Sequence, residues 1–324
     1  MVAAPSVAVI EDAIALACRA PSYHNSQPWR WVFGDGELRL HVDADRLVAT
    51  DHSGRQALIS CGAMLHHARV ALAAAGIRAV IERYPDDSDH RHVATVRFAE
   101  LPAPVDARLA DAVLARRTDR LPLRAPEHWE PLEDVIRQEV GDGAWLDVLS
   151  DADRPALAEA SDLTDALRLY DATYHAEMSW WTAPFEVSDG IPHSALVSAA
   201  EGDRVTIGRT FPVTQHRERR LDVPEDGATV VVISAVEDTR DAILACGEAL
   251  STVLLEATAA GLSTGTLTHV TELDATRDVL TALTGRALPQ VLVRVGAASE
   301  LDDVPPPTPR RPLGEVLGFA PAQH

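Results

Sequence analysis

The sequence predicts an α+β fold built as two related halves. Three observations predict it: short alternating segments that read as antiparallel strands, two long helices rich in small residues, and a constant offset between the sequences of those helices. With 324 residues, 46% of them hydrophobic, the chain is ample for a buried core.

The elements follow in order. Val7, Ile10, Ile14, Leu16 and Ala17 fall at helix spacing and lead into Ala20-Pro21-Ser22-Tyr23-His24-Asn25-Ser26-Gln27-Pro28-Trp29. Two prolines bracket six residues with polar atoms, and each biases its predecessor toward extended geometry. A stiff helix-to-strand loop is expected, presenting Ser22, Asn25 and Gln27 in fixed directions. Asn25 is the only asparagine in the chain. The plainer reading is that Ser22 and Asn25 satisfy local backbone groups.

Trp29–Phe33 reads as a strand, Gly34-Asp35-Gly36 as a hairpin turn and Glu37–Val42 as the returning strand. A polar connection, Asp43–Arg55, precedes a helix over Ala57–Ala75 that Gly76 stops. Strands are expected at Ile77–Tyr84 and His92–Phe98. A helix from Val105 to Ala115 runs into Arg116-Arg117-Thr118-Asp119-Arg120, with Arg124 close behind. A helix at Leu132–Val140 and a strand at Ala144–Leu149 come next. Between about Asp151 and Gly227 the pattern loosens into an insert of helical pieces carrying Tyr170, Tyr174, His175, Trp180, Trp181 and Phe185. Its basic cluster, Arg217, Arg219 and Arg220, reads as a solvated face. Val230–Ser234 is an apolar strand, Asp241–Ala260 a long helix ended by Gly261, and Gln290–Gly296 another strand. Pro305–Pro312 leads out as an extended tail.

The two long helices match. Cys61-Gly62 and Cys246-Gly247 lie near their starts, and Ala74-Ala75-Gly76 and Ala259-Ala260-Gly261 end them, 185 residues apart throughout. Matching at both ends argues for duplication. The halves are taken as residues 1–104 and 105–324, the second carrying the insert.

Composition bounds the function. Net charge is −20 from 29 basic and 49 acidic residues, which disfavours nucleic acid and anionic lipid as partners. All the basic residues are arginine, so a Schiff-base lysine and a Walker phosphate loop are excluded. Cys18, Cys61 and Cys246 form no Cys-x-x-Cys pair, favouring a reduced, cytoplasmic setting without a zinc site. No basic leader precedes Arg19, and no segment is expected to reach the roughly 20 apolar residues of a membrane span. His66, His67 and His269 lack metal-ligand spacing and read as structural or surface residues.

Pro21-Ser22-x-x-Asn25-x-Gln27-Pro28-Trp29 resembles the flavin-contacting loop of the FMN-dependent nitroreductase family, and its wording is most similar to the Acg-like branch. The resemblance implies a nitroreductase-like fold in which the two halves imitate the family's homodimer and hold a single FMN. It also implies NAD(P)H as reductant and a nitroaromatic or quinone-like small molecule as acceptor. Arg116, Arg117, Thr118 and Arg120 resemble the family's phosphate and ribityl contacts; guanidinium forks suit phosphate oxygens. Their plainer reading is a solvated face pairing with Asp111 and Asp119. The run from Gly261 to His269 resembles the segment beside the isoalloxazine ring, placing Tyr23 and Pro21 of the loop and Thr266, Leu267 and Thr268 of this run among the cofactor contacts. Thr268 stands where some members carry an acidic residue. Arg310 and Arg311 resemble a terminal basic pair that reaches the phosphate.

Trp180 and Trp181 are expected either to cover the flavin or to pack in the core. No catalytic side chain is assigned, because the cofactor carries the chemistry. The alternative is a flavin-storage protein whose insert closes over the ring. A monomer with an internal pseudo-dimer is expected, with a further dimer left open.

Overall fold

The computed structural model describes residues 5–86, 88–103, 107–183, 189–212, 214, 217–299, 301 and 305–320. Phe185, Val105 and the expected junction at residue 104 lie outside them. In chain order the helices are α1 (Val7–Ala17), α2 (Arg55–Ala74), α3 (Arg108–Ala115), α4 (Trp129–Val140), α5 (Arg154–Arg168), α6 (Ala172–Trp181), α7 (Ala199–Asp203), α8 (Arg240–Ala259), α9 (His269–Glu272), α10 (Asp274–Thr284) and α11 (Leu313–Val316). The strands are β1 (Trp29–Gly34), β2 (Glu37–Val42), β3 (Ile77–Arg83), β4 (His92–Glu100), β5 (Trp145–Leu149), β6 (Thr229–Ser234), β7 (Ser263–Leu267), β8 (Pro289–Gly296) and β9 (Leu317–Phe319). The architecture is α+β, as expected. The chain forms two compact units.

The first unit comprises residues 1–115, 239–251 and 310–324. Its sheet runs β3-β4-β2-β1-β9. The β1–β2 hairpin turns at Asp35 and Gly36, whose φ values of 54° and 76° suit the left-handed pair of a type I′ turn. Trp29, Trp31, Leu38 and Leu40 are fully buried on one face of that hairpin. The chain's end is more than an extended tail: after residue 312 it forms α11 and then β9, which pairs parallel to β1 at Trp31–Phe33. Three residues carry too little periodicity to be read as a strand.

α2 is buried along nearly its whole length, and within this unit it crosses the start of α8 at Gly62 and Gly247. A Cβ on Gly62 would collide with Leu244 O, and one on Gly247 with Ile59 O. Only glycine permits backbones this close. By length and composition alone α2 and α8 could cross a membrane, but both are mostly buried inside the protein. A helix apolar on all sides is a core helix when protein surrounds it.

The second unit comprises residues 116–238 and 252–309. Its sheet runs β5-β6-β8-β7, entirely antiparallel, with every residue of β8 buried. Val230, Val232 and Leu292 pack with Leu157 of α5, Val270 of α9 and Leu280 of α10 into one apolar core. α10 was not anticipated by sequence; its buried face is reduced to Thr276 and Leu280. Apart from β9, each sheet takes two antiparallel strands from before a 20-residue helix and two from after it, in matching order.

The insert corrects one expectation. Arg219 and Arg220 are not a solvated face: Arg219 grips the fully buried Glu201 at 2.8 Å, and Arg220 pairs with Asp119 at 2.6 Å. Only Arg217 of that cluster is exposed. A third pair, Arg294 with Asp226, anchors the segment after the Arg116–Arg120 run: Asp226 Oδ1 accepts from Leu123 N, and Arg294 donates to Leu121 O.

Candidate functional site

The Pro21–Trp29 run forms a short 3₁₀ turn, Tyr23–Asn25, in a loop with three left-handed non-glycine residues: His24 (φ 51°), Asn25 (58°) and Gln27 (53°). Such clustering stores strain, and surrounding bonds must hold it. Ser22 Oγ accepts from Gln27 N at 3.0 Å, and Ser60 Oγ of α2 accepts from Tyr23 N at 3.1 Å. Gln27 is fully buried; its Nε2 donates to Asn25 O, and its Oε1 accepts from Arg311 N at 2.9 Å. Pro21, Ser22 and Tyr23 remain half-buried. Ser22 therefore does serve a local backbone group, while its side chain stays within reach of solvent.

Arg310 and Arg311 come to this same loop. Arg310 Nε donates to Cys18 O at 2.8 Å and Nη2 to Arg19 O at 3.1 Å, satisfying carbonyls at the end of α1. Arg311 Nη1 donates to Gln27 O and pairs with Asp43 at 3.1 Å. Their guanidinium groups thus brace the loop from the chain's far end.

In the second unit the arginine run diverges. Arg116 is buried and Arg117 exposed. Thr118 bridges Thr264 as a parallel neighbour of the edge strand β7, and Asp119 N donates to Thr264 O at 2.8 Å. A Cβ at Gly265 would lie 2.7 Å from Asp119 O, so glycine is what lets that backbone approach. Arg120 donates to Ala195 O, stands 5.0 Å over the Phe211 ring, and has its pKa pushed down to about 10 by burial. Asp119 pairs with Arg220 of the insert at 2.6 Å.

Thr266 and Leu267 end β7, and Thr268 follows as the N-cap residue of α9. The hydroxyls of Thr264 and Thr266 are both buried and lack a hydrogen-bond partner. Two orphaned hydroxyls on one strand face fit a strand that a polar ligand covers. Thr268 Oγ1 donates to Glu272 Oε1 at 2.8 Å, and Arg209 from the insert donates to both. Sequence reasoning missed Arg209 and Glu272. Glu272 was legible as a carboxylate one turn beyond Thr268; Arg209, 63 residues from Glu272, left no signal.

Among the aromatic residues of the insert, Trp180 is 73% exposed and is not core, whereas Tyr174 is buried. His66, His67 and His269 are buried and structural. His66 bonds Ser251 at 2.6 Å, and burial pushes its pKa down to about 3. Among the described residues, no group of side chains is placed to hold a metal ion.

No family model matches the chain. It is 54% identical over 321 residues to the Mycobacterium tuberculosis H37Rv protein named "Putative NAD(P)H nitroreductase acg", covering 98% of this chain and 97% of that one. The chain belongs to the Acg-like NAD(P)H nitroreductase family. A more distant member, Rv3131 of the same organism, bears the same nitroreductase description and is 36% identical over 97% of this chain and 92% of its own. A solved FMN and NADPH-dependent nitroreductase, NfnB from Sphingopyxis sp. strain HMH, aligns over 66% of this chain and 99% of its own at 14% identity and a TM-score of 0.43. That likeness is too low to carry an argument.

A separate cleft of about 390 Å³ in the first unit is lined by Arg69, Ala79, Ile81, Arg83, Asp241 and Glu248. Two of its lining residues are tied together, Arg83 donating twice to Glu248 Oε1 at 2.7 and 3.0 Å. The 185-residue offset relates β3 of this cleft to β7, setting Ala79, Ile81 and Arg83 against Thr264, Thr266 and Thr268. Where the earlier positions of this Acg-like chain hold Ala79, Ile81 and Arg83, the later ones thus hold three hydroxyls.

Proposed function

We propose that this Acg-like chain is an FMN-dependent oxidoreductase that takes electrons from NAD(P)H and passes them to a nitroaromatic or quinone-like acceptor. The observation that carries the reading is the braced loop, in which three strained residues are held by Ser22, Ser60 and Arg311. Strain of this kind persists where it serves a site. FMN bound there supplies the two-electron chemistry. Pro21, Ser22, Tyr23, Asn25 and Gln27 would hold the ring from the loop; Thr266, Leu267 and Thr268 would hold it from β7. Arg116, Arg117, Thr118 and Arg120 would hold the phosphate and ribityl chain. Arg310 and Arg311 serve the site by fixing the loop's carbonyls.

We further infer an internal duplication, with halves near 1–104 and 105–324, that holds one FMN per monomeric, cytoplasmic chain. The equal strand orders, the 185-residue offset and the reciprocal Gly62–Gly247 crossing support it. A second reading, flavin storage, is favoured by the bonds that tie Arg209 of the insert to Thr268.

The test is a visible spectrum of the purified protein, the flavin-to-chain ratio, and anaerobic mixing with NADPH or NADH. One FMN per chain, bleached within minutes, supports the oxidoreductase. Bound flavin that neither nucleotide bleaches supports storage. A colourless protein that refuses added FMN overturns both.

A further inference from the structure

Thr268, the N-cap residue of α9 directly after β7, has the hydrogen bonding of its hydroxyl almost fully committed. Its Oγ1 donates to Glu272 Oε1 at 2.8 Å and accepts from Arg209 Nη2 at 3.2 Å. A hydroxyl has one proton and two lone pairs. With the proton given to Glu272 and one lone pair taken by Arg209, only an acceptor lone pair remains for an incoming group. Arg209 is itself held: it pairs with Glu272, and its Nη1 donates to Tyr174 Oη at 3.1 Å. Arg168 completes the cluster, 4.9 Å over the Tyr174 ring and 3.9 Å from Glu272 Oε2, while bonding Asp171 at 2.6 Å. The Arg209 and Glu272 side chains are only 5% and 8% exposed, so water does not loosen the arrangement.

We propose that Arg209 and Glu272 are positioning residues that hold the Thr268 hydroxyl as a hydrogen-bond acceptor, and that the group it receives is an N–H of the reduced flavin ring. This rests on the reading that β7 contacts FMN. Glu272 of α9, held by Arg209 of the insert, supplies beside Thr268 the acidic character that position 268 itself lacks. A neutral hydroxyl free to rotate would serve oxidised and reduced ring alike, as donor to one and acceptor to the other. A locked acceptor favours the form that carries the extra N–H.

The experiment is the reduction potential of the FMN-loaded protein, equilibrated against a reference dye, for wild type and four variants. Thr268→Val and Arg209→Leu are each expected to lower the potential by about 30 mV, a tenfold loss in preference for reduced over oxidised flavin. Arg209→Lys, which keeps a charged donor, is expected to return toward wild type. Because Arg209→Leu leaves Glu272 short of a partner, the double variant Arg209→Leu/Glu272→Leu removes both charges and keeps the test available if the single variant misfolds; it too is expected to lower the potential. An unchanged potential in Thr268→Val overturns the acceptor role. A shift in Thr268→Val with none in the double variant overturns the positioning role. Wild-type protein that takes up no FMN removes the underlying reading, and this inference with it, and is distinguished by spectrum alone.

Discussion

Gly62 and Gly247 meet reciprocally: a Cβ on either would lie 2.9 Å from the Cα of the other. The carbonyls they would strike, Leu244 O and Ile59 O, are related by the same 185-residue offset as the glycines. Residues at one constant offset thus make matching close approaches across the crossing. Gly62→Ala and Gly247→Ala should therefore destabilise the protein to a similar extent, each by about 1–3 kcal/mol from overpacking. Urea denaturation of the two variants checks this. A large loss at one position with none at the other would show that the crossing is not reciprocal in energy.

The equality of those two helices was legible because each is long, apolar and stopped by a left-handed glycine, Gly76 at φ 78° and Gly261 at φ 81°. The hairpin at Asp35-Gly36 was legible for the same kind of local reason. β9 was not, since three residues pair with β1 only because the chain returns from nearly 300 residues away. Arg219 and Arg220 were misread because a run of arginines looks the same whether its carboxylates lie in solvent or, like Glu201 and Asp119, in the fold. The stiff loop between Pro21 and Trp29 was legible by its prolines, but the groups bracing it, Ser60 and Arg311, come from distant elements.

Asp226 and Arg294 are each nearly inaccessible, and both also bond the backbone between Leu121 and Leu123. Removing one partner leaves a buried charge. Asp226→Asn should therefore cost about 3–5 kcal/mol, while replacing both by apolar residues of similar size should cost much less. Thermal unfolding of the single and double variants distinguishes these outcomes, and equal losses would show that the pair's worth is not the cost of a stranded charge.

Glu201 gives the fold an acid-sensitive element. Burial raises its pKa, but the Arg219 side chain and the backbone amides of Ser198 and Arg219 outweigh burial and hold the pKa down at about 2, from an ordinary 4.5. A carboxyl depressed by folding stabilises above its unfolded pKa, and that stability is lost as pH falls through the folded value. The contribution, at most about 3 kcal/mol, should be complete above roughly pH 5 and disappear between pH 4.5 and 2. Glu201→Gln should flatten the stability profile in that window relative to wild type. An unaltered acid limb in chemical denaturation would remove Glu201 from the account.

Asn25 separates what the backbone needs from what a ligand needs. Its φ of 58° costs most side chains about 1–2 kcal/mol, and asparagine less. Asn25→Ala carries this steric cost of about 1 kcal/mol, whereas Asn25→Gly does not, so the apoprotein of Asn25→Gly should melt above that of Asn25→Ala. If the side chain also contacts FMN, both variants lose that hydrogen bond, and both should bind FMN up to about tenfold more weakly. Fluorescence titration with FMN, run beside thermal unfolding of the apoprotein, reads the two effects independently. An Asn25→Gly variant that keeps wild-type affinity would make Asn25 a turn residue alone, and would shift the loop's share of flavin recognition to Ser22 and the backbone that Gln27 and Arg311 hold.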